Sequence, residues 1–573
     1  MGTMTATGTV SSQGTRIPDA IVKAHWQTVI YADRPKRLDL QSLKPEWPCR
    51  TVRVAVHRNT PFEFIAQAIV PFLAFGSLRA DFSFGDYDDS LLFPPIPADL
   101  QIVWLDYDRY AGHLDGIRLA DWIGERLTAL RAGTTAPILV ANWPADHAQA
   151  QAFNDRLAVL VAGMAGTRLH DRRSLYLRMG ASYLDNRFTG IGATNLSGPA
   201  TLLTAREIGL RCLPAALRPR LRCIAVDFDN TLYAGVLGED GVAGLQLTEA
   251  HAALQRRLLT LHAEGAFLAA ISKNEAADVE QLLAERTDFP LRREHFSAMA
   301  VSWEPKAQGM ARIAEALRIG TDAILFVDDN LGEIADVTAA FPTIATLHSA
   351  DPVITLAGLE LGPDLTAWSR NETDALRATD LAMASQREAS LAGSADPAEY
   401  LRSLDTRIDF HLNPRDQTSR VHELSHKTNQ FNLALKRLGE VEVAGWFDQP
   451  GHSTVTFRLS DRLSDSGIVG IMLMAVADGV LKVEELCISC RALGRRLEDL
   501  MIASAIDKVA NAAGCHQVSF AHAKGPRNMP ARDWLAGFLG APLLSDAGYC
   551  TISWPPEGLF SRLAGIPVTS AWH

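Results

Sequence analysis

Short, nearly uninterrupted apolar runs recur along the first part of this chain, with stretches of helical spacing between them. VRVAV (52–56), QIVWLDY (101–107) and APILVANW (136–143) read as strands, and PFEFIAQAIVPFL and RLADWIGERLTALR between them carry helical periodicity. CIAV (223–226), AFLAAISKN (266–274) and AILFVDDN (323–330) repeat the pattern. Runs apolar on both faces, alternating with helices, predict parallel sheets covered by helices. Beyond residue 450 the pattern changes. HSTVTFRLSD (452–461), GIVGIMLMAVADG (467–479) and LKVEELCISC (481–490) predict consecutive antiparallel strands, and RALGRRLEDLMIASAIDKVA predicts a long amphipathic helix after them.

Polar stretches set the expected boundaries. Residues 1–48 are Pro-punctuated and read as an N-terminal tail with a short helix around Asp19–Tyr31. The expected units are an α/β domain over 49–205, a second α/β core over 215–350, a helical linker over 351–400 and an α+β domain over 401–573. With 573 residues the chain needs several domains.

Composition narrows the function classes. A net charge of −11 argues against a general nucleic-acid binder and against an anionic membrane surface. Seven scattered Cys fit reduced thiols in a cytoplasmic setting better than a disulfide framework. No uncharged apolar run is long enough to span a bilayer, and the opening MGTMTATGTVSSQGTR lacks the apolar segment of a signal peptide.

The chemistry gathers where the apolar runs end. CIAV leads into Asp227-Phe228-Asp229-Asn230-Thr231. Two carboxylates this close stay ionised together most easily around a cation, and Mg²⁺ favours one or two carboxylates plus phosphate oxygens. An Asp at a strand end is also a candidate nucleophile for phosphoryl transfer. The same residues are ordinary at a strand-to-turn junction, so the other strand ends decide. AFLAAISKN ends in Ser272-Lys273-Asn274, where a hydroxyl and main-chain N–H can hold a phosphoryl oxygen. Ser302-Trp303-Glu304-Pro305 presents Lys306 from an extended approach, and AILFVDDN ends in Asp328-Asp329.

The string DFDNTLYAGVLGEDG resembles the first motif of the haloacid dehalogenase (HAD) phosphatases. Its continuation is similar to the FkbH-like branch, glyceryl transferase/phosphatases that load carrier proteins in polyketide pathways. That resemblance implies a Rossmannoid HAD core with Asp227 as nucleophile and Asp229 as general acid and base. It implies Thr231, Ser272, Lys273 and Lys306 as phosphate-binding groups, Lys306 also counting among the catalytic residues. It implies Mg²⁺ held by Asp227, Asp229 through its main chain, Asp328 and Asp329. Only 45 residues separate Asp227 from Ser272 and 34 separate Ser272 from Lys306, so no large cap domain fits and the site stays open to bulky substrates.

The same resemblance implies an SGNH/flavodoxin-like N-terminal domain. No Ser follows its first strand, where His57-Arg58-Asn59-Thr60 stands. The acidic stretch Asp86-Tyr87-Asp88-Asp89 reads as a solvated turn. Asp146-His147 reads as a helix start rather than a hydrolase dyad. HKTNQFNLALKRL (426–438) resembles the C-terminal, GNAT-like acyltransferase domain of FkbH-like proteins. There Asn429, Arg491, Gly494 and Arg495 are the candidate phosphopantetheine-binding residues, although Arg496 replaces the small residue expected in the pyrophosphate loop. Cys490, at the end of the preceding strand, is the candidate acyl-accepting nucleophile, with His426 and Asn429 as candidates to assist; Cys487 reads as core filler.

The implied activity is dephosphorylation of a 1,3-bisphosphoglycerate-like donor and transfer of the glyceryl group to an acyl carrier protein. Two alternatives stand beside it. One is a HAD phosphatase on another phosphorylated metabolite or carrier, with a C-terminal domain that only binds the carrier. The other is a non-catalytic carrier-binding scaffold.

Overall fold

The computed structural model describes residues 18–87, 91–94, 96–185, 196–368, 402–489, 492–493 and 497–573. Two parallel sheets and one mixed sheet organise them. In the first, β1 (Arg50–Arg58), β2 (Leu78–Tyr87), β3 (Leu100–Trp104), β4 (Ile138–Ala141) and β5 (Thr167–His170) lie in the order β2-β1-β3-β4-β5. All its pairings are parallel. Helices Gly116–Ala132 and Ala148–Ala162 cover one face, burying Leu119, Ile123, Leu127 and Phe153 against Val103, Ile138 and Val140. Their approach is close: a Cβ on Gly116 would stand 2.2 Å from the carbonyl oxygen of Gln149. The acidic stretch expected as a turn begins inside β2, which includes Asp86 and Tyr87. Asp88 and Asp89 lie outside the described residues.

In the second sheet, β6 (Cys223–Val226), β7 (Phe267–Ser272), β8 (Phe296–Val301), β9 (Ile324–Asp328) and β10 (Ala345–His348) take the order β10-β9-β6-β7-β8, again all parallel. Strand β6 is central, and the chain winds away from it in both directions. Ligands bind at the carboxyl edge of such a switch point. Between β6 and β7 stand only helices Leu237–Gly244 and Glu249–Ala263, and between β7 and β8 helix Ala276–Glu285, so no cap domain interrupts either crossover.

Two segments expected outside the α/β units pack into them. The expected tail contains helix Asp19–Ile30, whose Trp26 and Ile30 are buried in the core that runs continuously between the two parallel sheets. The expected linker begins with helix Pro352–Leu361, capped by the Asp351 carboxylate. Its Leu359 is fully buried in that same core, so this stretch is a layer of the fold and not a spacer. Residues 369–401 lie outside the described residues.

The third sheet is mixed, in the order β16-β15-β14-β13-β12-β11-β17. Its strands are β11 (Thr406–Leu412), β12 (His452–Ser460), β13 (Asp465–Ala477), β14 (Val480–Ile488), β15 (Gln517–Ala523), β16 (Ala547–Ser553) and β17 (Val568–Trp572). Strand β14 pairs antiparallel with β13 and parallel with β15, and helix Glu498–Ala513 connects β14 to β15. Met501, Ile502 and Ile506 of that helix are fully buried. This region meets the parallel sheets at their amino ends. Arg527 Nη1 donates to Asp322 Oδ1 at 2.8 Å, two residues before β9. The main-chain N–H of Gly166, just before β5, donates to Glu440 Oε2 at 3.1 Å. Among the described residues no helix is long and apolar enough to cross a membrane.

Candidate active site

Two strand ends and one helix start converge on the carboxyl edge of the second sheet. Asp227 follows β6, Asp328 ends β9 with Asp329 next to it, and Lys306 opens helix Lys306–Ala316. Pro305 stands extended at ψ 132° and ends the β8 loop, so the chain enters this helix with the ammonium turned inward. Lys306 Nζ lies 2.9 Å from Asp227 Oδ2 and 2.6 Å from Asp328 Oδ2, and all three side chains are buried. The second oxygen of Asp328 accepts from the Asn330 N–H at 2.9 Å. The second oxygen of Asp227 is buried and has no hydrogen-bond partner.

Charge at this cluster is out of balance. Asp227, Asp328 and Asp329 each place a carboxylate oxygen within 4.8 Å of the others. One ammonium against three carboxylates leaves two negative charges unmatched. The protein responds as electrostatics requires. Burial, and then the Asp227 charge, push the Asp328 carboxyl up to about 7. The same two causes raise Asp329. Burial opposes the charge on Lys306, but Asp227 and Asp328 outweigh it and hold its pKa above the ordinary lysine value. Hard oxygen donors, a surplus of two negative charges and a bare buried carboxylate oxygen suit Mg²⁺.

Asp229 is placed differently. Its carboxylate is not among the three that converge. Oδ1 accepts from Tyr233 Oη at 2.7 Å and from the Leu237 N–H at 3.0 Å, and Oδ2 accepts from Asn274 Nδ2 at 2.9 Å. Asn274 Nδ2 also donates to Ser272 Oγ at 3.1 Å, tying the ends of β6 and β7 together. Burial and then Asp229 drive the Tyr233 phenol well above its usual range, so it stays a donor. Asn274 and Tyr233 are site residues that the sequence reading left unassigned. Asn274 stands inside its Ser272-Lys273-Asn274 string, and Tyr233 inside the string that follows the two acids.

The other expected phosphate ligands divide. Ser272 sits at the carboxyl end of β7 beside the cluster. Lys273 instead pairs with Glu333. Thr231 is fully buried, with its hydroxyl lacking a partner. At the rim Trp303 is 66% exposed, and its indole N–H donates to Glu275 Oε1 at 2.7 Å.

In the C-terminal region Asn429 Oδ1 accepts from Arg437 Nη2 at 2.6 Å, and Arg437 also donates to the carbonyls of Ser425, His426 and Thr428. Burial, then His422, lower His426 to about 4. Cys487 is fully buried and donates to Glu485 Oε1 at 3.2 Å. Burial and that carboxylate raise the Cys487 thiol well above its ordinary pKa, which suits a core thiol and not a nucleophile. Cys490, Arg491, Gly494, Arg495 and Arg496 lie outside the described residues. Asp146 pairs with Arg173 at 3.2 Å, while His147 Nδ1 accepts the Ala150 N–H and caps helix Ala148–Ala162.

No family model matches this chain, and no curated protein matches it. Solved structures similar to parts of it include the N-terminal part of a Bacteroides fragilis protein containing a phosphatase domain complexed with Mg. The likeness has 18% identity and a TM-score of 0.46, and covers 60% of this chain and 99% of that one. A spermidine N-acetyltransferase variant from Vibrio cholerae shares 12% identity at a TM-score of 0.20, over 27% of this chain and 98% of that one. An aminoglycoside acetyltransferase in complex with coenzyme A and kanamycin gives 12% and 0.20, over 27% and 99%. The reading of the site rests on this chain's own residues.

Proposed function

We propose that this chain is a Mg²⁺-dependent HAD-type phosphatase coupled to an acyl transferase, acting on a phosphoglycerate donor and an acyl carrier protein in the cytoplasm. The observation that carries the phosphatase half is the convergence of Asp227, Asp328 and Asp329 around Lys306 at the carboxyl edge of a parallel sheet. Asp227, Asp328 and Asp329, with the main chain of Asp229, are the groups that would hold Mg²⁺. When bound, the ion supplies positive charge that neutralises phosphate oxygens.

The chain's own residues supply the rest. Asp227 attacks phosphorus through its unpartnered oxygen, and the bond from phosphorus to the leaving oxygen breaks as the aspartyl-phosphate forms. Asp229, held by Tyr233, Asn274 and the Leu237 N–H, gives its proton to the leaving oxygen. It then takes a proton from water, which attacks phosphorus and releases inorganic phosphate from Asp227. In this reading Lys306 and Ser272 would hold phosphoryl oxygens.

The transferase half rests on the sequence string HKTNQFN and on the strand β14, helix Glu498–Ala513, strand β15 arrangement. In this reading Cys490 accepts the glyceryl group, and Arg491, Gly494 and Arg495 with Asn429 receive the phosphopantetheine arm. The competing reading, a phosphatase with a carrier-binding C-terminal region, draws on the docking of that region at the amino ends of the sheets, away from the carboxylates.

Intact-mass analysis of a holo acyl carrier protein tests both halves. Incubation with the enzyme, Mg²⁺ and 1,3-bisphosphoglycerate adds a glyceryl increment to the carrier. Asp227→Asn replaces it with phosphoglyceryl, and Cys490→Ala abolishes either adduct. Phosphate release with no carrier adduct overturns the transferase half.

A further inference from the structure

Trp303 is the only exposed residue among the chain's 11 tryptophans. It stands in the stretch Ser302-Trp303-Glu304-Pro305 that links β8 to Lys306, with 66% of its surface open to solvent. An indole left in water forgoes a large hydrophobic gain, and a side chain of this size is ordinarily buried. This one is exposed and also fastened.

Its anchors come from the surroundings of the carboxylate cluster. The indole N–H donates to Glu275 Oε1 at 2.7 Å. Glu275 follows Asn274, the amide that donates to Asp229. The Ser302 N–H donates to the Ser272 carbonyl at 3.1 Å, which ties the loop to the end of β7, the strand paired with β6. From the other side Arg312 pairs with Glu304 and donates to Ser302 Oγ at 3.4 Å. The indole therefore spans the loops after β7 and β8, three residues from Lys306 and one strand from Asp227. The charged groups flanking it are engaged: Glu275 with the indole, Glu304 with Arg312, and Lys273 with Glu333. What this lip leaves open is an apolar ring.

We propose that Trp303 is a specificity-determining residue: the alcohol part of the phosphate ester lies on its indole, and the site takes monoesters whose alcohol carries a flat or apolar body. Glu275 is the positioning residue that holds the ring for that contact. The proposal rests on the phosphatase reading and adds to it a requirement beyond the phosphoryl group. With no cap domain in either crossover, the alcohol of a bound ester leaves the cluster past this lip. A ring already held in place loses little freedom when a ligand stacks on it.

Titration calorimetry of the full chain with Mg²⁺ tests it, using propylphosphonate and 3-phenylpropylphosphonate, whose carbon–phosphorus bond is not hydrolysed. The phenyl compound should bind the parent about tenfold more tightly. Trp303→Ala should bring the two affinities to within twofold of each other, and Trp303→Phe should keep most of the difference. Glu275→Ala, which frees the ring, should lower it. Equal affinities in the parent, or a preference that survives Trp303→Ala, overturn the proposal and leave the phosphatase reading standing. Phosphate release from propyl phosphate and 3-phenylpropyl phosphate is read separately. A parent that shows the Trp303-dependent preference but hydrolyses neither ester overturns the phosphatase reading and keeps the ring as a ligand contact. Binding of neither phosphonate overturns both.

Discussion

The two parallel sheets share a layered plan, yet their carboxyl ends are built to opposite rules. At the first sheet the strand-end amides are answered, and His170 Nε2 is the one buried strand-end atom among the described residues without a partner. Asn59 Oδ1 accepts the Asp106 N–H at 2.7 Å, and its Nδ2 donates to the Asp106 carbonyl and to Tyr110 Oη. Asn142 donates to Asp171 and accepts from the Arg173 N–H. His57 and Gln101 pair at 2.9 Å. At the second sheet three carboxylates crowd one lysine and an Asp227 oxygen has no partner. The proposed chemistry lies at the unbalanced edge. A parallel sheet offers the position, but only polar groups left unsatisfied by the protein have affinity to spare for a ligand.

The largest effect should come from removing the oxygen proposed as the nucleophile. Asp227→Asn is expected to lower phosphatase turnover by roughly 10³-fold or more, the scale of losing a reacting group. In EDTA the same variant should melt at a higher temperature than the parent, because one of three mutually repelling carboxylates is gone. Asn59→Asp, the corresponding strand end of the first sheet, should leave turnover unchanged. Loss of turnover in Asn59→Asp would mean that the first sheet takes part in the chemistry, and the contrast would fall.

Lys306→Met probes the same imbalance from the other sign. It leaves the buried Asp227 and Asp328 without their cation, which should destabilise the metal-free protein by about 3–5 kcal/mol in urea unfolding. Mg²⁺ should recover part of that loss, since a divalent ion binds the folded state alone. A Lys306→Met protein as stable as the parent in EDTA would show that the cluster is not charge-strained.

The edges differ in legibility for the same reason that they differ in chemistry. Asp227, Ser272, Lys306 and Asp328 were readable because each closes an apolar run or follows a proline, signals local to a few residues. Strands β6, β7 and β9 came with them. Strand β2 was not readable: it is an exposed edge strand whose LRADFSFGDY alternates like a surface loop. The three groups that hold Asp229 come from the loop after β7, from the turn after β6 and from a main-chain N–H, a set that only tertiary structure assembles. The packing of helix Asp19–Ile30 and helix Pro352–Leu361 depends on surfaces supplied by distant strands. Asp146 and His147, which read as a helix start in the sequence, form an ion pair and a helix cap.

A pH experiment separates the first sheet on its own terms. His170, at the end of β5, is fully buried, and burial depresses its pKa to about 4 against the opposing pull of Glu207. The unfolded imidazole protonates near 6.5, so between those values the unfolded chain binds more protons. The stability tied to neutral His170 is fully present above pH 6.5 and is lost as pH falls toward 4, by up to ~3 kcal/mol. Urea midpoints at pH 7 and pH 4.5 should therefore lie closer together in His170→Leu than in the parent. An unchanged gap would place the acid sensitivity elsewhere.

The smallest effect is the most informative about how the mixed sheet is attached. Arg527 and Asp322 are both partly exposed and pair at 2.8 Å, two residues ahead of β9. Strand β9 then runs to Asp328, so the contact and the carboxylate cluster stand at opposite ends of one strand, on the order of 20 Å apart at ~3.3 Å per residue. A pair this exposed contributes about 0.2–1 kcal/mol and no more. Arg527→Ala should thus shift the unfolding midpoint only slightly and leave kcat/KM for a small phosphate ester unaltered. Glyceryl loading of a carrier protein, which in the proposed reading draws on both regions, should respond at least as strongly as the small-ester reaction. A loss of small-ester turnover in Arg527→Ala would show that the amino-end contact governs the carboxyl-end chemistry. The two ends of the second sheet would then have to be treated as one site.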